Sequence, residues 1–507
     1  NTYTATGKVL KAWGPAQTAS DATCPTATAP VRVMDYTYGI FDTPARITEN
    51  LTAGEGGNRS TEYFYHADGR LYSDTRAIGT ATPQLYAYYF YTNNGQLNII
   101  RDGKNNQTTY QYDGHDRLAK TLYPDKTTPG TSSATDYEQL GYDANSNMTS
   151  LRGRNGQSTT LAYDNLNRLV GRSYPTTADN VTFSYDLLNR RIASGSADSS
   201  HAVTNTWDNA GRLVSVAISD PPVGTKTFSY QYDAAGNRIR LTWPETTPFY
   251  VTTSFDALNR PTGIKELGTT DLATYAYDDL SRRTTVTLGN GTTTTYGYNN
   301  QSALSSLAHN LAGTAQDNTW TYARNQAQEI VTNTTSNNAY QWAGYANGTR
   351  SYTANGLNQY TAATGATPAY DSNGNLSSDG TWTYTYDPDN RLRSANKTGQ
   401  TFVLTYDGLD RLRRTVQNSV ITADWLYDGT DMVGEYASGS LVRRYVHGPG
   451  IDEPLVWYEG SGTGSKTWLY ADHQGSIAAT ANSAGTSTAT GVNPFPWTVL
   501  DLIPKLP

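Results

Sequence analysis

Tyr232-Asp233-Ala234-Ala235-Gly236-Asn237-Arg238 joins an aromatic residue, an Asp-led turn and a charged residue within seven positions. Near-copies recur along most of the 507-residue chain. They include Tyr112-Asp113 with Arg117 and Leu118, Tyr163-Asp164 with Asn167 and Arg168, Tyr185-Asp186 with Asn189 and Arg190, and Trp207-Asp208 with Gly211 and Arg212. Phe255-Asp256 with Arg260, Tyr277-Asp278 with Arg282, Tyr386-Asp387 with Arg391 and Tyr406-Asp407 with Arg411 continue the series. From Tyr142 the aromatic positions are 163, 185, 207, 232, 255, 277 and 298, steps of 21 to 25 residues. A fixed period in this range marks a repeat architecture.

Each repeat reads as two strands and a turn. Thr381-Trp382-Thr383-Tyr384-Thr385-Tyr386 alternates small polar and aromatic residues with period two, as a half-buried strand does. Asp387-Pro388-Asp389-Asn390 follows as the turn, and Arg391-Leu392 opens the return strand. Asp at the first turn position and Gly or Asn at the fourth suit a type I turn closed by a residue with positive φ. The Asp carboxylate caps the turn, and Gly236 and its counterparts tolerate the left-handed conformation.

Composition agrees. Hydrophobic residues make up only 36%, but 39 Tyr and 10 Trp exclude a disordered chain. The net charge of -7 is spread out, with no Lys/Arg block, which excludes a nucleic-acid stripe. No apolar run is long enough to span a membrane as a helix. Residues 1–20 lack the pattern of a secretory signal. Cys24 is the single cysteine, so neither an internal disulfide nor a multi-cysteine zinc site is expected.

The organisation follows from the repeat density. Residues 1–34 are a lead-in, with a linker rich in Pro, Thr and Ala between Pro15 and Pro30. Residues 35–445 carry the array, residues 446–490 a closing segment, and residues 491–507 a divergent tail. Copies are densest from Tyr112 to Tyr298, fade before Tyr370, and resume through Tyr427-Asp428. Trp320, Tyr322, Tyr340 and Trp342 keep the aromatic character in the gap. About 40 strands at about 4.8 Å would make a sheet about 190 Å wide. Open sheets rarely exceed about 10 strands without curling or splitting, so this array must curl or divide.

The series Tyr-Asp-x-x-Gly/Asn-Arg-Leu resembles the YD repeats of the Rhs family, over roughly residues 35–480. That family includes bacterial polymorphic toxins, cell-wall-associated proteins, the C components of insecticidal toxin complexes and the animal teneurins. Tyr470-Ala471-Asp472-His473-Gln474-Gly475-Ser476-Ile477 looks like its core-associated segment and favours a bacterial Rhs-type core. The resemblance implies an all-β fold, with tandem antiparallel hairpins in one long sheet that spirals into a hollow shell or cocoon. Such shells enclose a C-terminal toxin, or in teneurins form a filled barrel used for adhesion. Many members then carry an Asp-Pro-containing self-cleavage motif. This chain departs there: Asn493-Pro494-Phe495 replaces the expected pattern, and Asp501-Leu502-Ile503-Pro504 has only a faint likeness through Asp501 and Pro504.

Other candidate chemistry reads as structure. Gly460-Ser461-Gly462-Thr463-Gly464-Ser465-Lys466-Thr467 brushes against a phosphate loop, but strands flank it and it reads as a hairpin loop. Asp143-Ala144-Asn145-Ser146-Asn147 imitates the start of a calcium loop, but Met148 and Arg154 stand where Gly and Glu belong. His66, His115, His201, His309, His447 and His473 form no metal-ligand pattern. Asp472-His473 lacks a nucleophile motif, which leaves a structural hydrogen bond as its expected role. The repeated Asp and Arg residues recur at equivalent positions, whereas a catalytic pair should be singular. They are expected to pair across strands beside stacked Tyr rings.

The expected function is therefore a structural container without catalysis of its own, metal or cofactor. Its expected partners are an own or associated toxin payload, secretion-apparatus proteins and cell-surface glycans. Its expected place is the outside of a bacterial cell, after export. A carbohydrate- or cell-surface-binding module is the alternative reading, and a glycan-acting hydrolase a second.

Overall fold

The computed structural model describes residues 1–14, 32–51, 57–196, 201–220, 224–325, 328–341 and 348–490. Cys24, the Pro15–Pro30 linker, Trp342 and the tail with Asn493, Asp501 and Pro504 lie outside them. The regular structure of the described residues is almost wholly strand, with two short 3-10 turns at Thr177–Asp179 and Asn338–Tyr340. No helix among the described residues is long and apolar enough to cross a membrane.

Twenty-eight strands, from Thr2–Tyr3 to Ile330–Thr335, form the first sheet, each antiparallel to its sequence neighbour. The strands Thr2–Tyr3 and Val9–Gly14 belong to it, so the ends of the 1–34 lead-in are part of the wall rather than a separate preface. A separate hairpin follows at Tyr352–Ala354 and Tyr360–Ala363. A second sheet of 13 strands then runs from Ala369–Tyr370 to Ser487–Thr490. The sheet divides where the motif fades. The closing segment 446–490 continues the second sheet as ordinary hairpins.

The strands form because alternate residues find different solvents. In Gly224–Tyr232 the rings of Phe228 and Tyr230 are buried, while Thr227, Ser229 and Gln231 are exposed. The register shifts by one residue just before the motif aromatic, as at Ala162/Tyr163, Ser184/Tyr185, Gln231/Tyr232 and Ala276/Tyr277. That shift accommodates the turn residue with positive φ, which is Gly236 (91°) in one copy and Asn167 (59°), Asn189 (64°) or Asp116 (62°) in others. The turn expected from sequence is the turn that forms.

The wall winds back upon itself. Arg59 meets Glu329, 270 residues on; Arg154 meets Asn373, 219 on; Tyr174 meets Asp389, 215 on. Further along, Tyr230 meets Asp428, 198 residues on, and His309 meets the carbonyl of Ala471, 162 on. Both members of these pairs advance together along the chain, and their separation shrinks from 270 to 162 residues. The molecule is thus a spiral that tightens toward its C-terminal end. The motif turns of the second winding seat against the opposite-end turns of the first: Asn373 lies by Asn155 and Asp389 by Tyr174.

Burial follows the winding. Strands such as Leu118–Pro124 and Met148–Arg152 are only half-buried at every residue, as in a wall one sheet thick. From Val203 onward the second sheet covers the first. One core then joins Phe228, Val251, Leu272 and Leu288 of the first sheet to Leu426, Val456, Tyr458 and Trp468 of the second.

Candidate functional site: the turn ladder and the seam

The motif turn is a closed hydrogen-bond unit. In the copy at Asp113 the backbone N–H of Asp113 donates to the carbonyl of Arg117 (2.9 Å), and that of Asp116 donates back to Asp113 (3.0 Å). The Asp113 carboxylate accepts from the backbone N–H groups of His115 (2.9 Å) and Arg117 (3.1 Å) and from Arg117 Nε (2.8 Å). Asp164 with Arg168, Asp186 with Arg190, Asp278 with Arg282, Asp387 with Arg391 and Asp407 with Arg411 repeat the pairing. The Arg117 guanidinium holds the Asp113 carboxyl down at about 2. Arg70 does the same for Asp68, also at about 2.

What crosses to the next hairpin is the rest of the arginine. The second face of the Arg168 guanidinium donates to the carbonyl of Asp186 (2.9 Å) and lies 4.9 Å from the Tyr185 ring centroid. The Tyr185 hydroxyl donates back to the carbonyl of Leu169 (3.0 Å). Arg212 and Tyr232, Arg260 and Tyr277, Arg282 and Tyr298, Arg391 and Tyr406, and Arg411 and Tyr427 make the same stack. Tyr112 and Tyr386 donate to Leu97 and Leu376 in the same way. The Asp–Arg pair therefore closes one turn instead of bridging strands. The Arg–Tyr stack and the Tyr hydroxyl tie each turn to its neighbour.

Arg238 corrects the sequence reading. Asn237 occupies the arginine place of its turn and donates to Asp233 (2.9 Å). Arg238 leaves the turn and pairs with Asp428 of the second sheet (2.6 Å). Its position one residue late in the heptad was the available signal.

The seam between the sheets holds charges that sequence reading did not single out. Arg444 is fully buried; its Nε donates to Glu245 (3.3 Å), its Nη2 to the carbonyl of Ser461 (3.2 Å), and it lies 3.8 Å from the Phe249 ring centroid. Burial pushes the Glu245 carboxyl above its ordinary value. Glu266, also buried, accepts from the Tyr458 hydroxyl (2.6 Å) and pairs with Lys466 (2.8 Å). Glu453 takes Arg283 (2.6 Å). Asp428 accepts the Tyr230 hydroxyl (2.9 Å) besides Arg238. Beside it a cavity of about 220 Å³ is lined by Trp243, Val251, Val433, Asp431 and His447. Burial, then Asp428 and Asp452, push the Asp431 carboxyl up. His309 is fully buried between Trp320 and Tyr470, and burial drops its pKa to about 4.

The remaining sequence candidates resolve as turns. Asp472 caps the turn to Ser476, accepting from the N–H groups of Gln474 (2.8 Å) and Ser476 (3.0 Å), with Gly475 at φ 84°. The His473 ring packs 4.6 Å from the Tyr322 ring, so a ring contact stands where a structural hydrogen bond was expected. Tyr470 reaches Thr292 (2.8 Å) and Asn290 (3.0 Å) of the first winding. Asp143 caps its own turn through Asn145 and Asn147. The 460–465 stretch is a hairpin loop, and Lys466 turns to Glu266 rather than toward the loop amides. Among the described residues no cluster of three His, Cys, Asp or Glu groups could hold a metal.

Known proteins share this architecture. The Teneurin YD-shell family model matches residues 132–355, which include the regular copies from Tyr142 to Tyr298. That stretch is similar to the teneurin YD-shell, in keeping with the Rhs/YD-repeat resemblance of the motif. A crystal structure of TcdB2-TccC3 superposes with a TM-score of 0.64 at 11% identity, over 96% of this chain and 32% of that one. TcdB2-TccC3 without its hypervariable C-terminal region gives 0.61 at 12%, over 90% and 30%. A Photorhabdus luminescens Tc holotoxin pore gives 0.58 at 11%, over 90% and 30%. The tRNA3(Ser)-specific nuclease WapA of Bacillus spizizenii is 28% identical over 141 residues, 26% of this chain and 6% of WapA. The YD-repeat chain thus spans about a third of the length of those structures and a small part of WapA.

Proposed function

We propose that this YD-repeat chain is the wall of a container that encloses a polypeptide payload, a toxin, until delivery. The observation that carries this is the tightening spiral: a one-sheet-thick first winding whose later part is lined by a second, with turns locked to turns along the way. One structural neighbour is a Photorhabdus luminescens Tc holotoxin pore, and WapA is a tRNA3(Ser)-specific nuclease. Catalysis in this reading belongs to the payload, because the recurring carboxylates are engaged in turns and ion pairs. The container works outside the producing cell, and its partners are the payload and the export machinery that moves it.

Limited proteolysis tests the proposal. The chain is expressed with the rest of its gene product, and cleavage of the payload is followed over time. Protection of the payload while the wall is intact, lost when the Arg444–Glu245 seam is broken, supports the container. Cleavage of the payload at the rate of the isolated segment contradicts it.

A further inference from the structure

The interval from the Asp233 turn to Phe255 lacks both ties of the ladder. Asn237 stands in the arginine place of its turn, so no guanidinium stacks on the next ring, and Phe255 stands in the tyrosine place, so no hydroxyl reaches back. The Asn237 amide crosses instead, to Asn259 (2.9 Å), and Arg238 is turned to Asp428 of the second sheet (2.6 Å). The cavity of about 220 Å³ beside Asp428 lies at this interval, with Phe255 in its lining. Its apolar walls come from both windings: Trp243, Val251 and Ile264 from the first sheet, Val433 and Val446 from the second, all buried. A dry cavity of about 150 Å³ takes benzene, so this one has room for a phenyl ring and a short chain.

The polar lining is singular where the rest of the wall repeats. Asp428 is satisfied by Arg238 and by the Tyr230 hydroxyl (2.9 Å). His447 Nε2 lies 2.8 Å from the Met432 carbonyl, and because a carbonyl only accepts, Nε2 carries the hydrogen. Nδ1 is then an acceptor, and it is buried without a partner. The Asp431 carboxylate makes no hydrogen bond or ion pair with any described residue. Burial holds its carboxyl above the ordinary value, and Asp428 and Asp452 add to this against His447 and Arg238. Two carboxylates and one guanidinium leave the lining with one negative charge over. Two acceptors without donors, one of them charged, are costly beside apolar walls. What completes them is a donor with a single positive charge and an apolar body.

We propose that this cavity binds a small primary amine as its ammonium ion, with N–H groups on the Asp431 carboxylate and His447 Nδ1 and a body of about phenethyl size between Trp243 and Val433. The apolar walls select an organic cation over an inorganic one. Because the walls belong to both windings, the bound amine ties the second sheet to the first. The site stands whatever the wall encloses.

Isothermal titration calorimetry of the full chain at pH 7 with phenethylamine tests the site. One site per chain with a dissociation constant at or below about 1 mM is expected, with a rise in melting temperature on binding. Phenethyl alcohol keeps the body and loses the charge, and methylamine keeps the charge and loses the body. Each should bind at least about tenfold more weakly. Asp431→Asn should weaken the amine by about the same factor and leave the alcohol unchanged. It removes an unpaired carboxylate, so melting of the free variant should hold or rise. Val433→Phe fills the cavity from the second sheet and should abolish binding, with far-UV circular dichroism unchanged. Acetyl-lysine amide carries the same ammonium on a peptide too large for the cavity and should not bind. No saturable binding to the natural chain, equal binding of the alcohol or of methylamine, tighter binding of acetyl-lysine amide, or undiminished binding by either variant would each overturn the proposal.

Discussion

The Arg117 guanidinium lies 4.5 Å from the ring centroid of Tyr142, and the Tyr142 hydroxyl donates back to the carbonyl of Leu118 at 2.8 Å. Two residues 25 positions apart thereby tie one hairpin to the next, and Arg117 also closes its own turn on Asp113. The same three contacts recur along both sheets. The wall's mechanical unit is therefore the interval between turns, not the turn alone.

Removing one rung should loosen one interval. Tyr142→Phe keeps the stack and deletes the hydroxyl bond, at an expected cost of about 1 kcal/mol. Arg117→Ala removes the stack, the turn pairing and the bond to the Asp143 carbonyl (3.1 Å), and should cost more. Hydrogen exchange should show the loss in the hairpins around 107–124 and 132–152, with distant hairpins unchanged.

The buried pair at the seam should behave differently from the ladder. Arg444→Ala leaves Glu245 buried and uncompensated, and is expected to cost about 3–5 kcal/mol. Replacing both, as Arg444→Met with Glu245→Leu, should recover most of that loss. Denaturant midpoints of the two single variants and the double variant check this, and a double variant no more stable than the worse single would exclude the pairing.

Acid should act in two windows. His309 is held neutral by burial, with a folded pKa of about 4 against an ordinary value of 6.5. Its unfolded form binds a proton first, so stability falls as pH drops from 6.5 through 4. Asp68 and Asp113 have folded values of about 2 against 3.8. Their contribution is complete above the unfolded value and is lost as pH falls from about 4 toward 2. Melting temperatures between pH 7 and 2 should decline in both windows. His309→Asn should flatten the upper window and Asp113→Asn the lower, judged as slopes because both substitutions also lower the starting stability.

Gly289 should tolerate no side chain. A Cβ there would stand 1.9 Å from the Asp271 carbonyl oxygen and 3.0 Å from the Trp468 ring, because its N–H bonds the carbonyl of Leu272 and the second sheet closes over it. Gly236 has open space around it and pays only for its positive φ. Gly289→Ala is expected to cost at least 2 kcal/mol by overpacking, and Gly236→Ala about 1 kcal/mol. Thermal melts of the two variants rank them.

The period, the hairpins and the turn chemistry were legible because they are local: Asp233 and Gly236 act within four residues. The division into two sheets was not: one long sheet was expected, and the break falls between Thr335 and Ala369, within the stretch where the motif fades. The direction of the ladder was not. Sequence places Asp113 and Arg117 together but does not say that the same guanidinium also serves Tyr142. The seam was least legible, because Arg444 with Glu245 and Tyr458 with Glu266 join residues 199 and 192 positions apart. Nothing in a 21- to 25-residue period encodes where a winding returns. The tightening of the spiral comes from those pairings.

A cryo-electron microscopy map of the whole gene product tests the container most directly. The account predicts two windings in which Asp389 lies against Tyr174 and Asp428 against Tyr230, with polypeptide density on the inner side of the first winding. An unwound sheet, or a closed spiral with its payload density entirely outside, would contradict it.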